Sequence, residues 1–235
     1  MTWDPTVGER AGEMEFFIRY LIMSLLTNLQ SKAKQYAKDE KDSKANSPVS
    51  QIKAYLFILN NTFYLNEQLG DNTSAAAPIL RNKIDYAEDG REFKIKSPWF
   101  KKSTQDMFEG SLKKYLNYWV KLNIHLTQVP EDELSFTKND TKTLTLESGR
   151  ILKARFSGFN DDFEKIYEMQ KDITIIDPKL RKKLVFDIKS VFLPRYIEFF
   201  ANYSQYQFSK KNQEEYLRFP PKKLNSMLGN MFSSY

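Results

Sequence analysis

Two runs of cations near the end of the chain concentrate its chemistry. Lys179, Arg181, Lys182 and Lys183 come first, and Lys210, Lys211, Arg218, Lys222 and Lys223 follow. From Met1 to Thr141 there are 19 Lys/Arg against 19 Asp/Glu, whereas Lys142 to Tyr235 holds 17 against 11, so the whole formal charge of +6 belongs to the later stretch. An imbalance confined to one end bears on partners rather than on fold, and it favours anionic surfaces such as phospholipid or nucleic acid.

The first run sits just after Asp177-Pro178, an N-cap and N1 proline pair that opens a helix. A helix start already carries about half a positive charge, and each added cation there costs roughly 0.3–1 kcal/mol. Four cations in that position therefore suggest an anion site. The plainer reading is that Asp172, Asp177 and Asp187 neutralise them. The second run is interleaved with Phe208, Tyr216 and Phe219, and diluted by Glu214 and Glu215. Beside an anionic leaflet each Lys or Arg contributes about 1 kcal/mol within a Debye length, which suits reversible peripheral binding. Base stacking could use the same aromatics, but no nucleic-acid motif accompanies them. They are expected to plug the loop into a helical core, and no nucleic-acid partner is expected.

Catalysis finds little support. His125 is the only histidine and has no partner at metal-ligand spacing, so a locally satisfied structural ring is expected. Asp161, Asp162 and Glu164 read as a solvated helix face. Gly-rich phosphate loops, nucleophile elbows and His-Glu metalloprotease signatures are absent from the sequence. A non-enzymatic protein without catalytic residues, metal or cofactor is expected.

The elements that must position the cations are helical. The chain has 8 Gly, 9 Pro and no Cys in 235 residues, which suits helices and a reducing compartment. No secretory signal is visible, and a soluble cytoplasmic protein is expected. Apolar spacing predicts helices over Glu9–Lys38 (Phe17, Leu21, Met23, Leu25, Leu26, Leu29, Ala33 and Tyr36) and Val49–Leu69, with a polar break at Asp39–Ser47. Gly70–Pro78 reads as a loop, with Ala75–Ala77 opening a short helix, and Tyr86–Lys96 as a charged excursion. Further helices are expected over Trp99–Leu126, Leu144–Lys171, Asp177–Tyr203 (kinked at Pro194) and from Pro220-Pro221 to Phe232. Val129–Thr143 reads as a polar linker. The expectation is thus an all-α fold of stacked antiparallel helical hairpins with no significant sheet. It divides into a neutral bundle at 1–141 and a basic C-terminal bundle at 142–235.

A family pattern emerges from several ordered stretches. Phe159-Asn160 before Phe163-Glu164, Ile176-Asp177-Pro178-Lys179-Leu180-Arg181, and Val191-Phe192-Leu193-Pro194-Arg195-Tyr196 form its centre. Phe208-Ser209-Lys210, then Tyr216-Leu217-Arg218-Phe219 with Pro221, Leu224 and Met231-Phe232, complete it. Upstream, Leu56-Phe57-Ile58-Leu59-Asn60-Asn61 precedes Tyr64-Leu65. This set resembles the C-terminal region of the seventy-kilodalton subunit of the exocyst and covers most of the chain. The resemblance implies an elongated rod of stacked helical bundles, and a longer whole protein of which this is the C-terminal half. It implies tethering of secretory vesicles to the plasma membrane, with other exocyst subunits and Rho-type GTPases as partners. It also implies phosphatidylinositol 4,5-bisphosphate binding through C-terminal basic residues, and a peripheral location at the inner face of the plasma membrane where secretion occurs. Lys210 and Arg218 match the family's cation positions. Glu215 departs from the pattern, standing where a lysine is expected before Tyr216, with one residue inserted near Lys211. A second reading is an interaction scaffold whose basic end docks acidic protein partners.

Overall fold

The computed structural model describes residues 5–38, 47–69, 85–88, 91–94, 99–138 and 140–233. All of the expected polar break at 39–47 except Ser47, and the expected loop at 70–78 with its short helix, lie outside them. The chain divides into two compact units, Met1–Lys113 and Lys114–Tyr235. That boundary falls inside a helix, upstream of the polar segment where composition changes. A backbone that stays helical carries no compositional mark of the place where its packing partners change.

In the first unit, α1 (Pro5–Tyr36) and α2 (Pro48–Leu69) form the expected hairpin. Ile22, Leu26, Leu29 and Ala33 pack with Ala54, Ile58, Leu65 and Phe100. The spacing of four, three and four along α1 keeps that seam on one side of a 3.6-residue helix. Phe17, Leu21, Met23, Leu25 and Tyr36, expected in the apolar face, are exposed. α1 carries more apolar residues than one seam can cover, so counting them overestimates its buried stripe. α2 buries Ile52, Leu56 and Leu59 as well, in keeping with its apolar circumference. At the start of α3 (Trp99–Val120), Thr104 donates to Asn66 Oδ1 at 2.6 Å.

The expected charged excursion contains an antiparallel hairpin, β1 (Asp85–Glu88) with β2 (Arg91–Lys94). Its register sets Asp85 opposite Lys94, Tyr86 opposite Phe93 and Glu88 opposite Arg91.

In the second unit α3 gives way to a 3-10 helix, Lys121–Leu126, where one continuous helix was expected. The supposed linker contains a further 3-10 turn and a small hairpin, β3 (Phe136–Thr137) with β4 (Asp140–Leu144). Two long helices follow, α4 (Leu146–Glu168) and α5 (Pro178–Tyr203). Thr145 caps α4 by accepting from Ser148 N. Pro194 lies within α5, which is continuous across it. A single turn, α6 (Gln213–Tyr216), and the nine-residue α7 (Pro221–Gly229) complete the chain.

Aromatic rings dominate this second core. Phe159 stacks on Tyr196 with centroids 4.2 Å apart, and Trp119 lies nearly parallel to Phe192 at 5.9 Å. Phe156, Phe163 and Phe199 are buried around them. Each such pair adds about 0.5–1.5 kcal/mol beyond the area it buries. Tyr115 is also buried and donates to Gln170 Oε1 at 2.6 Å; burial raises its phenol pKa, which keeps the group a neutral donor.

Two glycines serve opposite purposes. A Cβ on Gly149 of α4 would lie 2.7 Å from the carbonyl oxygen of Phe208, so only glycine lets the returning backbone approach so closely. Nothing stands within 4 Å of a Cβ on Gly110 in α3. Gly149→Ala is expected to destabilise the protein by about 1–3 kcal/mol through overpacking. Gly110→Ala should stabilise it by roughly 0.5–1 kcal/mol through helix propensity. Thermal unfolding followed by circular dichroism reads both; equal effects would contradict the assignment of Gly149 to a contact.

Candidate functional site

The nine cations are carried by α5, by the returning segment between α5 and α7, and by α7 itself. Burial of aromatic anchors holds that segment against α4. Phe208 stacks on Phe156 at 5.4 Å, while its neighbour Gln207 exchanges backbone hydrogen bonds with Lys142 and Leu144. Farther along, Asn160 donates to the Tyr216 carbonyl at 2.9 Å. Phe219 packs edge-on against Phe163 at 5.0 Å, and Tyr196 Oη donates to the Phe219 carbonyl at 2.5 Å. Burial raises the Tyr196 phenol pKa, so it too stays a donor. The segment thus climbs α4 from Gly149 to the level of Glu164, about 22 Å at 1.5 Å per residue. α7 then runs along α5 towards its N-terminus. The chain closes there, with the Phe232 carbonyl accepting from Ile175 N at 3.1 Å.

This path spreads the cations along the helices. Lys210 and Lys211 lie at the Phe208 end, Lys222 is intermediate, and Arg181 and Lys182 lie at the opposite end of α5. Between Phe199, which packs with Phe156 at the Phe208 end, and Arg181 the helix rises about 27 Å. That exceeds the Debye length of about 8 Å at physiological salt. The two runs therefore act as separate local charges, joined only by a surface broad enough to touch both.

Several of the nine already have partners. Lys183 pairs with Asp187 at 3.1 Å, and Arg218 with Glu164 at 2.6 Å. Lys223 donates to the Arg218 carbonyl at 3.2 Å and lies over the Phe219 ring. Lys179 also has an interaction within the chain. Among the described residues, no ion pair or side-chain hydrogen bond engages Arg181, Lys182, Lys210, Lys211 or Lys222. Glu215, where the resemblance implies a lysine, accepts from Asn212 Nδ2 at 2.9 Å and so is used within its own turn.

That turn is tightly ordered by its own side chains. Gln213 Oε1 accepts from the backbone N–H groups of Phe208 and Ser209, and Ser209 Oγ donates to the Lys211 carbonyl at 2.6 Å. Asn212 takes the left-handed conformation (φ 56°) that asparagine tolerates better than most residues. The result presents Lys210 and Lys211 outward beside a concavity of about 630 Å³.

At the start of α5, Asp177 caps the helix, as its place before Pro178 predicts. Asp177 Oδ1 accepts from Lys179 N at 2.8 Å and Leu180 N at 3.0 Å. The chain's own carboxylate thus occupies the helix-end anion site. What stays open is the side of α5 one turn further on, where Lys189 joins Arg181 and Lys182 around Phe186. Lys189 was not singled out in the sequence, although its spacing of eight from Arg181 places both on one helix face.

The histidine is structural in its surroundings. His125 Nε2 lies 2.8 Å from Asp162 Oδ2, and its ring sits over Gly158, where a Cβ would come within 2.6 Å. The acidic cluster of α4 is thereby divided, Asp162 holding His125 and Glu164 holding Arg218. Among the described residues no group of three His, Cys, Asp or Glu could hold a metal ion, and no helix is long and apolar enough to cross a membrane.

Long helices closed by an aromatic-anchored return that displays cations define an all-α helical-bundle protein with a basic surface. Comparison with known proteins is specific. The family formed by the C-terminal region of Exo70, a subunit of the exocyst complex, matches residues 5–230. The chain belongs to that family. It is 26% identical over 231 residues to exocyst complex component 7 of Drosophila melanogaster, covering 97% of this chain and 28% of that protein. It is 22% identical over 250 residues to exocyst complex component 7 of Homo sapiens, covering 33% of it. A solved structure of Exo70 from S. cerevisiae superposes with a TM-score of 0.56 at 20% identity, over 91% of this chain and 35% of that one, which supports the fold. The chain spans about a quarter to a third of the length of these relatives.

Replacing Asp177 with alanine is expected to cost about 1 kcal/mol, the usual worth of a side-chain N-cap. Asp177→Asn should keep most of that stability, since an amide oxygen accepts the same bonds. Chemical denaturation separates the two variants; an Asp177→Ala protein as stable as the parent would refute the capping role.

Proposed function

We propose that the chain is the C-terminal part of an exocyst subunit that helps tether secretory vesicles to the plasma membrane. In this reading it is a non-enzymatic component that assembles with other exocyst subunits and contacts Rho-type GTPases. It works at the cytoplasmic face of the plasma membrane at sites of secretion. Membership in the Exo70 C-terminal family supports the tethering role. The membrane contact is assigned to the basic residues, with phosphatidylinositol 4,5-bisphosphate as the preferred headgroup.

The observation that carries the lipid reading is the freedom of Lys210, Lys211 and Lys222, which have no ion-pair partners among the described residues. A cation already spent on a carboxylate gains little from a phosphate, whereas an unpaired one gains about 1 kcal/mol near an anionic leaflet. Arg218 and Lys223 are held against Phe219 and contribute by ordering the segment. Lys179 and Lys183 are engaged within the chain, and Lys182 is available. A membrane is broad enough to meet cations spaced along α5, which a compact anionic ligand is not.

Co-sedimentation with vesicles containing or lacking the phosphoinositide tests this. Lys210→Gln, Lys211→Gln and Lys222→Gln together are expected to weaken binding by about 100-fold at low salt, given about 1 kcal/mol for each charge and tenfold for each 1.4 kcal/mol. Binding by the parent should also fall as salt rises. Undiminished binding by the triple variant would exclude these residues as the lipid contact.

A further inference from the structure

We infer that the recess between the start of α5 and the end of α7 is a docking site for an acidic peptide segment bearing a large apolar anchor. This site shares Lys182 with the broader basic surface but none of Lys210, Lys211 and Lys222, on which the lipid reading rests.

The recess encloses about 410 Å³, within the range of ligand-sized pockets. Val185, Phe186 and Pro178 supply its apolar wall, Gly229 closes it from α7, and Arg181, Lys182 and Lys189 stand around it. Phe186 is 69% exposed on a helix whose rings at Phe192, Tyr196, Phe199 and Tyr203 are buried and whose Phe200 is half-buried. Ile176, just before Pro178, is 83% exposed. An apolar side chain left so open on an otherwise well-packed helix costs hydrophobic free energy in the free protein. It recovers about 1.5–3 kcal/mol when fully covered.

Charge decides what kind of partner covers it. Among the described residues none of the three cations has a carboxylate or hydrogen-bonding partner, and the nearest acid along the helix, Asp187, is committed to Lys183. Lys189 points its ammonium towards the end of α7, within 3.8 Å of where a Cβ on Gly229 would lie. Three unpaired positive charges around an apolar floor match carboxylates flanking an aromatic or branched aliphatic residue. Repulsion disfavours a basic partner, and a neutral one leaves the cations unanswered. A lipid headgroup would satisfy the cations, but it would leave the recess between two helices unfilled. A peptide supplies both the anchor and the charges. Helical segments do so with apolar residues at spacings of three and four and acidic residues beside them.

The test uses the full chain, immobilised, to select from a displayed library of random sixteen-residue peptides. Selected sequences are expected to combine Asp or Glu with Phe, Leu, Ile or Trp. Arg181→Glu with Lys189→Glu, and separately Phe186→Ala, should each lower their affinity at least tenfold. Phe186 is exposed, so its alanine variant should unfold at the parent temperature, and circular dichroism checks this. Lys210→Gln with Lys222→Gln should leave peptide affinity unchanged while reducing vesicle uptake. The proposal is overturned if no acidic-apolar sequence is enriched, or if enriched peptides ignore both sets of substitutions. It is also overturned if Arg181→Glu with Lys189→Glu abolishes vesicle uptake and has no effect on peptides, since the cluster would then serve lipid.

Discussion

The part of the basic surface that lies beyond α5 depends on burial of two phenylalanines. Phe208 against Phe156, and Phe219 against Phe163 and Tyr196, anchor the returning chain at both ends of its climb along α4. Each buried ring contributes roughly 1.5–3 kcal/mol from area alone. Between these anchors lie Lys210, Lys211 and Arg218, and just beyond them Lys222 and Lys223. Without the anchors those cations would sit on an unstructured tail, where fixing each residue costs about 1–2 kcal/mol of backbone entropy. The aromatic residues therefore serve the charges by ordering the backbone that carries them.

Polar groups finish what the rings begin. Asn160, buried in α4, holds the Tyr216 carbonyl, and Tyr196 holds that of Phe219. One is the carbonyl at the end of the single turn α6 and the other lies beyond it, so neither has a helical partner and both would be costly to bury unpaired. Gly149 leaves room for the Phe208 carbonyl to approach the helix. The motif Phe159-Asn160…Phe163 thus packs on one face while its asparagine secures the return. This explains in physical terms why those residue types belong together in the pattern by which the family is recognised.

Ion pairing sorts the cations by role. The partly exposed pairs Lys183–Asp187 and Arg218–Glu164 are worth little to stability, at most about 1 kcal/mol each when solvated. Their consequence is to remove those two cations from the set available to an anionic partner. Apart from Lys222 between them, the remaining free charges fall at two places along α5, one beside the ordered turn at Lys210–Lys211 and one beside the exposed Phe186. The former faces outward on a loop, and the latter borders an apolar recess. Different surroundings of this kind suit different partners for the two ends of one small unit.

Much of this was legible in the sequence, because helix-forming signals are local. Asp177-Pro178 marks the start of α5, and the spacing of Phe156, Phe159, Phe163 and Ile166 marks the buried face of α4. The excess of charge and its confinement to one end are likewise matters of counting. The hairpin at Asp85–Lys94 was missed although Asp89-Gly90 is a strong hairpin turn signal, because its charged residues masked the alternation. Tertiary structure alone decided which cations are free, since Glu164 and Arg218 meet only when the return segment docks on α4. It also decided that the end of α7 meets Arg181 and Lys189 around Phe186. Local sequence sets helix, charge and periodicity through neighbours within a turn or two. Pairing across the fold depends on where distant backbone is carried by the burial of its rings.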